Sequence, residues 1–174
     1  MPLSTPLSNT SGKMEFEDRL RRAIERGEKT RDARGRDEMA RELSLEELRT
    51  LHSQYRFEVT EHIENCLKKL SDHLPGFKYQ SVMNEEGWGG RISRDDLHLV
   101  PKKAAESRYS RLEVVITPFS PSGILEMTVK GTVRNREVLN RKHYQKLTEF
   151  DRDAFLELVD LRVLEFAELY TATQ

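Results

Sequence analysis

From Ser44 onward the apolar residues fall first into a helical rhythm. Leu48, Leu51, Tyr55, Val59, Ile63, Cys66, Leu67, Leu70 and Leu74 recur every three or four positions. The spacing predicts one amphipathic helix of about eight turns. Ser44 and Glu47 form a capping box at its start, and Pro75-Gly76 stops it.

Behind Gly76 the period changes to two. Phe77, Tyr79 and Met83 open a first strand, Glu85 to Gly90 reads as a Gly-rich turn, and Arg91 to Val100 as the return strand. Pro101 to Glu106 is a polar loop, after which Leu112, Val114 and Ile116 alternate with their neighbours. Ser120-Pro121-Ser122-Gly123 marks another turn. Leu125, Met127, Val129 and Val133 share one face of the next strand, while Glu126, Thr128, Lys130, Thr132 and Arg134 share the other. Residues 138–147 fit a fifth strand or a loop equally well. From Phe150 to Tyr170 the helical pattern returns, apolar over so much of its circumference that burial on more than one side is expected. On this reading Leu158 and Phe166 belong to the core or to a subunit interface.

The expected fold is therefore α+β in two layers: a long N-terminal helix, a four- to five-stranded antiparallel sheet, and a C-terminal helix packed on the sheet. Only one aromatic, Phe16, precedes Ser44, so the packed domain is expected to span 44–174. Residues 14–43 read as a charged helical arm punctuated by Gly27 and Gly35, and residues 1–13, rich in Ser, Thr, Pro and Asn, as a disordered tail.

Composition narrows the function classes. Of 174 residues, 36% are hydrophobic and 34% charged, with 29 Lys and Arg against 30 Asp and Glu, for a formal net charge of -1. Near-neutrality argues against nucleic acid as a partner, because phosphate binding by counterion release wants a positive excess. No apolar run approaches the roughly 20 residues of a membrane span, and no signal-peptide pattern opens the chain, so a cytoplasmic protein without membrane contact is expected. The single cysteine excludes an internal disulfide framework.

Candidate chemistry is sparse. His62 and Cys66 stand four apart on the long helix, a ligand-like spacing. Two ligands are too few, and Cys66 lies in the apolar stripe, so neither a metal nor any cofactor is expected. Arg94, Asp96 and His98 share one strand face, where a carboxylate could orient a histidine base. They are the weak catalytic candidates. Ser93, Ser107 and Ser110 are conceivable nucleophiles, but none lies in a Gly-x-Ser-x-Gly elbow. Trp88, the only tryptophan, is flanked by glycines without phosphate-loop spacing, and it reads either as folded back on the core or as a contact anchor with Arg91 beside it.

Net neutrality hides a local dipole. Lys130, Arg134, Arg136, Arg141, Lys142 and Lys146, with His143 and Tyr144 interleaved, precede a helix carrying Asp153, Glu157, Asp160, Glu165 and Glu168. If the strand continues, Arg134 and Arg136 project from the face opposite Met127 and Val129. Arg134, Arg136, Arg141 and His143 would then centre a contact with an acidic protein partner or a second subunit. The leading expectation is a non-enzymatic protein-interaction module, a homodimer. The alternative is a small-ligand-binding protein or enzyme with a pocket between sheet and helices.

Overall fold

The computed structural model describes residues 11–173, and the side chains of 16–41, 44–97 and 99–173. The expected tail of residues 1–13 lies mostly outside the described residues. In chain order the elements are helix α1 (Ser11–His73), strands β1 (Lys78–Asn84), β2 (Gly87–His98), β3 (Glu106–Ile116), β4 (Ile124–Val133) and β5 (Arg136–Lys146), and helix α2 (Arg152–Thr171). The fold is mixed α+β, with a long N-terminal helix, a five-stranded antiparallel sheet in the order β1-β2-β3-β4-β5, and a C-terminal helix.

The chain divides into two units, Met1–Ser44 and Leu45–Gln174. In the first, every described side chain from Phe16 to Arg41 is exposed, including Phe16, Leu20, Ile24 and Met39. Gly27 and Gly35 do not interrupt the helix. A Cβ at either would meet nothing within 4 Å, so the only penalty is helix propensity, about 1 kcal/mol each. Ser44 likewise lies inside the helix and caps nothing, because the backbone is already helical before it.

The second unit holds the core. Val59, Ile63 and Leu67 of α1 are fully buried, as are Phe155, Val159 and Phe166 of α2. They pack on one face of the sheet, where the row Tyr79, Ile92, Leu112, Gly131 and Leu139 runs across all five strands. One residue further along each strand the row is Gln80, Arg91, Glu113, Lys130 and Asn140, which is polar throughout. The period-two pattern thus assigned the faces, because side chains alternate along a strand.

Two turns differ from expectation. The β1–β2 hairpin closes over Glu85-Glu86, and the glycines that follow belong to β2. Gly89 is confined there because a Cβ would meet the Val114 carbonyl oxygen at 2.0 Å. Trp88 is therefore a strand residue, opposite Met83 and Ile116. The β4–β5 hairpin closes over Arg134-Asn135, with φ of 48° and 66°. Both residues are left-handed, as a two-residue hairpin turn requires. Asn135 carries the signal: its side-chain oxygen accepts from Tyr109 N at 2.9 Å and its amide donates to Ser107 O at 2.9 Å. Residues 138–147 are strand up to Lys146.

Helix α2 begins behind Asp151, whose carboxylate accepts from Ala154 N at 3.1 Å. Phe155, Val159, Val163, Phe166 and Tyr170 form its buried side. Leu158 is half-buried against the core, but Leu161 and Leu164 remain 53% and 62% exposed, so a single chain buries only one side of this helix.

Candidate functional site

Arg94 and Asp96 share the helix-side face of β2, as the spacing implies, and are bonded to each other, Arg94 also to the turn after α1. Arg94 Nε donates to Asp96 Oδ1 at 2.8 Å and its Nη1 to the Pro75 carbonyl at 2.7 Å, closing the turn that ends α1. With its charge used in this clamp, the guanidinium is held above its ordinary pKa, chiefly by Asp96. The side chain of His98 lies outside the described residues. Ser110 is fully buried and its Oγ accepts from Arg134 N at 3.0 Å, which fixes the hydroxyl as part of the β4–β5 turn.

The basic run is dispersed. Arg134 sits in the turn and donates to Thr173 O at 2.8 Å. Arg136 pairs with Val133, and Arg141 and His143 with Val129 and Met127. All three are therefore at positions on the helix side of the sheet, and the expected projection of Arg134 and Arg136 from the opposite face is corrected. The two-residue turn moves Arg134 off the strand and resets the alternation. His143 Nε2 accepts from Arg162 Nε at 2.9 Å. Burial, then the nearby Arg162 and Arg141 charges, hold its pKa below the usual histidine value. Arg136 and Arg141 are exposed and enter no ion pair among the described residues. They lie with Lys142 and Lys146 on β5, an edge strand, where charged side chains discourage pairing with another sheet.

The opposite edge, β1, is built differently. Its sequence KYQSVMN has one charge, Lys78 at the first position. Beside it lies a depression of about 400 Å³ where Phe57, Tyr79, Met83 and Trp88 adjoin the carboxylates of Glu61 and Glu64. Phe57 and Met83 are 68% and 77% exposed, while Trp88 is half-buried under Arg56, whose guanidinium lies 4.0 Å from the ring centroid. Arg91 points to the other face, where it donates to Gln80 Oε1 at 3.0 Å and lies 3.5 Å from Glu113.

A third feature was only half visible in sequence. His62 Nε2 lies 2.7 Å from Asp160 Oδ1, and Cys66 Sγ lies 3.5 Å from the same nitrogen and 3.2 Å from the same oxygen. These three atoms border a cleft of about 590 Å³ between α1 and α2, floored by Leu70, Val163 and Ala167 and flanked by Lys69 and His73. Burial, reinforced by the Asp160 carboxylate, pushes the Cys66 thiol up to about 12. A thiol so held is protonated at neutral pH and is no nucleophile. The contacts also fail as a relay. A relay needs the carboxylate on one imidazole nitrogen and the thiol on the other, whereas here both approach Nε2. The i,i+4 spacing signalled His62 and Cys66, but Asp160 lies 98 residues beyond His62 and its apposition depends on the packing of the two helices.

No protein-family model, curated protein or solved structure matches the chain. Among the described residues, no helix is long and apolar enough to cross a membrane.

Proposed function

We propose that this protein is a non-enzymatic interaction module that pairs with a second copy of itself along β1. The observation that carries this reading is the asymmetry of the two sheet edges. β5 is lined by Arg136, Arg141, Lys142 and Lys146, whereas β1 presents seven residues with a single charge at one end. An unguarded edge offers a row of backbone donors and acceptors to another strand. Pairing β1 antiparallel with its own copy is two-fold symmetric, the commonest arrangement of homo-oligomers. Part of the adjoining surface supports the same partner: aromatic residues, methionine and arginine are enriched at interfaces, and Phe57, Met83, Trp88 and Arg56 supply these types here, with Glu61 and Glu64 at the charged border of the patch. The geometry of Arg94, Asp96 and Ser110 supports this over an enzyme, since each is engaged in holding a turn.

Light scattering over a range of protein concentrations tests the reading. The wild type should have the mass of two chains and the variant Phe57→Glu with Met83→Lys that of one, with unchanged circular dichroism because both positions are exposed. A single-chain mass for the wild type at every concentration overturns the homodimer. A dimer indifferent to both substitutions moves the interface elsewhere, with Leu161 and Leu164 on α2 the next surface to change. If an acidic protein is the partner instead, binding should persist in that variant and fail in Arg136→Glu with Arg141→Glu.

A further inference from the structure

We propose that His62, Cys66 and Asp160 bind a divalent transition-metal ion of the zinc class, clamping α1 to α2 and leaving one coordination position open to the cleft. The donor set is one imidazole nitrogen, one thiol sulfur and one carboxylate oxygen, and the three atoms lie within 4.8 Å of one another. Mixed nitrogen and sulfur ligation selects zinc, cobalt or copper over magnesium and calcium, which prefer oxygen alone.

The triangle they form has nearly the right size. With ordinary zinc–ligand lengths, a tetrahedral site sets sulfur–nitrogen and sulfur–oxygen separations of about 3.6 Å and nitrogen–oxygen of about 3.4 Å. The observed separations are 3.5, 3.2 and 2.7 Å. Seating an ion therefore requires Asp160 to withdraw by less than about 1 Å. Its side chain is 49% exposed, so solvent rather than packed protein lies on part of its surface. The convergence that spoils a catalytic relay is what a metal requires, since all three donor atoms lie close to one another. On coordination Sγ exchanges its hydrogen for the ion, and the proton passes to solvent.

Among the described residues no fourth His, Cys, Asp or Glu joins the three. Structural zinc sites are closed by four protein ligands, whereas an open fourth position carries water or an exogenous ligand. That position borders the 590 Å³ cleft, where Leu70, Val163 and Ala167 would accept an apolar group and Lys69 and His73 an anionic one.

Cobalt and zinc titrations of the full chain test the site. Cobalt should give intense visible bands of a tetrahedral complex, together with sulfur-to-cobalt charge transfer, at one ion per chain. Zinc should displace it and raise the melting temperature. Cys66→Ser should abolish the charge-transfer band, and His62→Gln and Asp160→Asn should each weaken zinc by at least about a hundredfold, the upper range for losing a supporting group alone. His73→Gln, which lines the cleft without joining the triangle, should bind as the wild type does. Metal-free melts of the variants separate lost ligation from lost folding. Asp160→Asn, at a half-exposed position, keeps the test decisive if a helix α1 variant fails to fold. Zinc affinity unchanged in Cys66→Ser and Asp160→Asn, or a cobalt spectrum without sulfur charge transfer, overturns the proposal.

Discussion

Phe166 lies directly over Gly131. A Cβ at residue 131 would meet the ring's Cδ2 at 3.1 Å and Leu139 Cβ at 2.9 Å. The row that contains Gly131 is apolar on every other strand, so the missing side chain is the socket that lets α2 approach the sheet. Gly131→Ala should therefore destabilise by about 1–3 kcal/mol, the cost of overfilling a packed core. Urea denaturation measures it. Combining Gly131→Ala with Phe166→Leu should recover part of the loss, because a smaller side chain relieves the clash. If the two losses simply add, the residues do not share one space.

Phe166→Ala alone should cost about 3–5 kcal/mol, since the ring is fully buried between the sheet, Phe77 and Tyr170. Leu161→Ala, on the exposed side of the same helix, should change monomer stability by less than about 0.5 kcal/mol. Equal losses at the two positions would mean that the apolar outer side of α2 is covered in solution.

The fold was legible in sequence because its signals were redundant. Alternation along β4 assigns Leu125, Met127 and Val129 to the core without any knowledge of the neighbours, and the burial of each agrees. The turns are less legible, because two signals compete there. Gly87 to Gly90 resembles a loop by composition, but Gly89 and Gly90 are needed inside β2, where Val114, Leu67 and Tyr79 leave no room for a side chain. Arg134-Asn135 resembles continuing strand, because an arginine rarely announces a left-handed turn. The candidate site was the least legible part. Its two α1 residues share one helical face, but their partner Asp160 comes from the last helix, and neither spacing nor composition specifies which residue of α2 arrives opposite Cys66.

Gly27 and Gly35 give a prediction of opposite sign to Gly131. Both are helical and surrounded by open space. Alanine at each should gain up to about 1 kcal/mol of local helix stability by lowering backbone entropy in the unfolded chain. Amide hydrogen exchange around residues 24–38 should slow, while the unfolding transition of the second unit stays where it is. Faster exchange in either variant would show that a glycine is required in that segment.

Arg94→Ala should loosen the turn that ends α1. The guanidinium is about one-third exposed, and it gives up its bonds to Pro75 and Asp96. The expected loss is about 1 kcal/mol, below the usual 1.5–3 for a charged hydrogen bond because water replaces part of it. Gly76→Ala should cost at least as much. Its φ of 87° strains any side chain, and the new Cβ would press on Arg94 at 3.0 Å. Unchanged stability in Arg94→Ala would return this cluster to consideration as a site free for chemistry.

Stability should fall as the solution is acidified, and two histidines set the window. His52 is buried, and its Nε2 donates to the Thr117 carbonyl at 3.2 Å. Burial first, and the Arg56 charge in addition, hold its pKa below 6.5, with the Thr117 bond acting in the opposite direction. His143 is shifted the same way and accepts a bond from Arg162 that protonation would break. The unfolded chain therefore binds protons below pH 6.5 that the folded chain refuses, and the slope of stability against pH is positive there. The contribution is complete above pH 6.5 and is lost as the pH falls from 6.5 toward the folded pKa of each ring. Urea denaturation should show the wild type less stable at pH 5.0 than at pH 7.5. His52→Gln should remove most of that difference and His143→Gln a smaller share, because His143 is less buried and better screened. His52→Gln also forfeits the edge contact with Phe119, whose ring lies 5.7 Å away, so its absolute stability drops at both pH values. The difference between the two pH values is independent of that offset and isolates the proton. If the double variant keeps the full pH dependence of the wild type, other groups carry it and the buried neutral state of His52 is wrong.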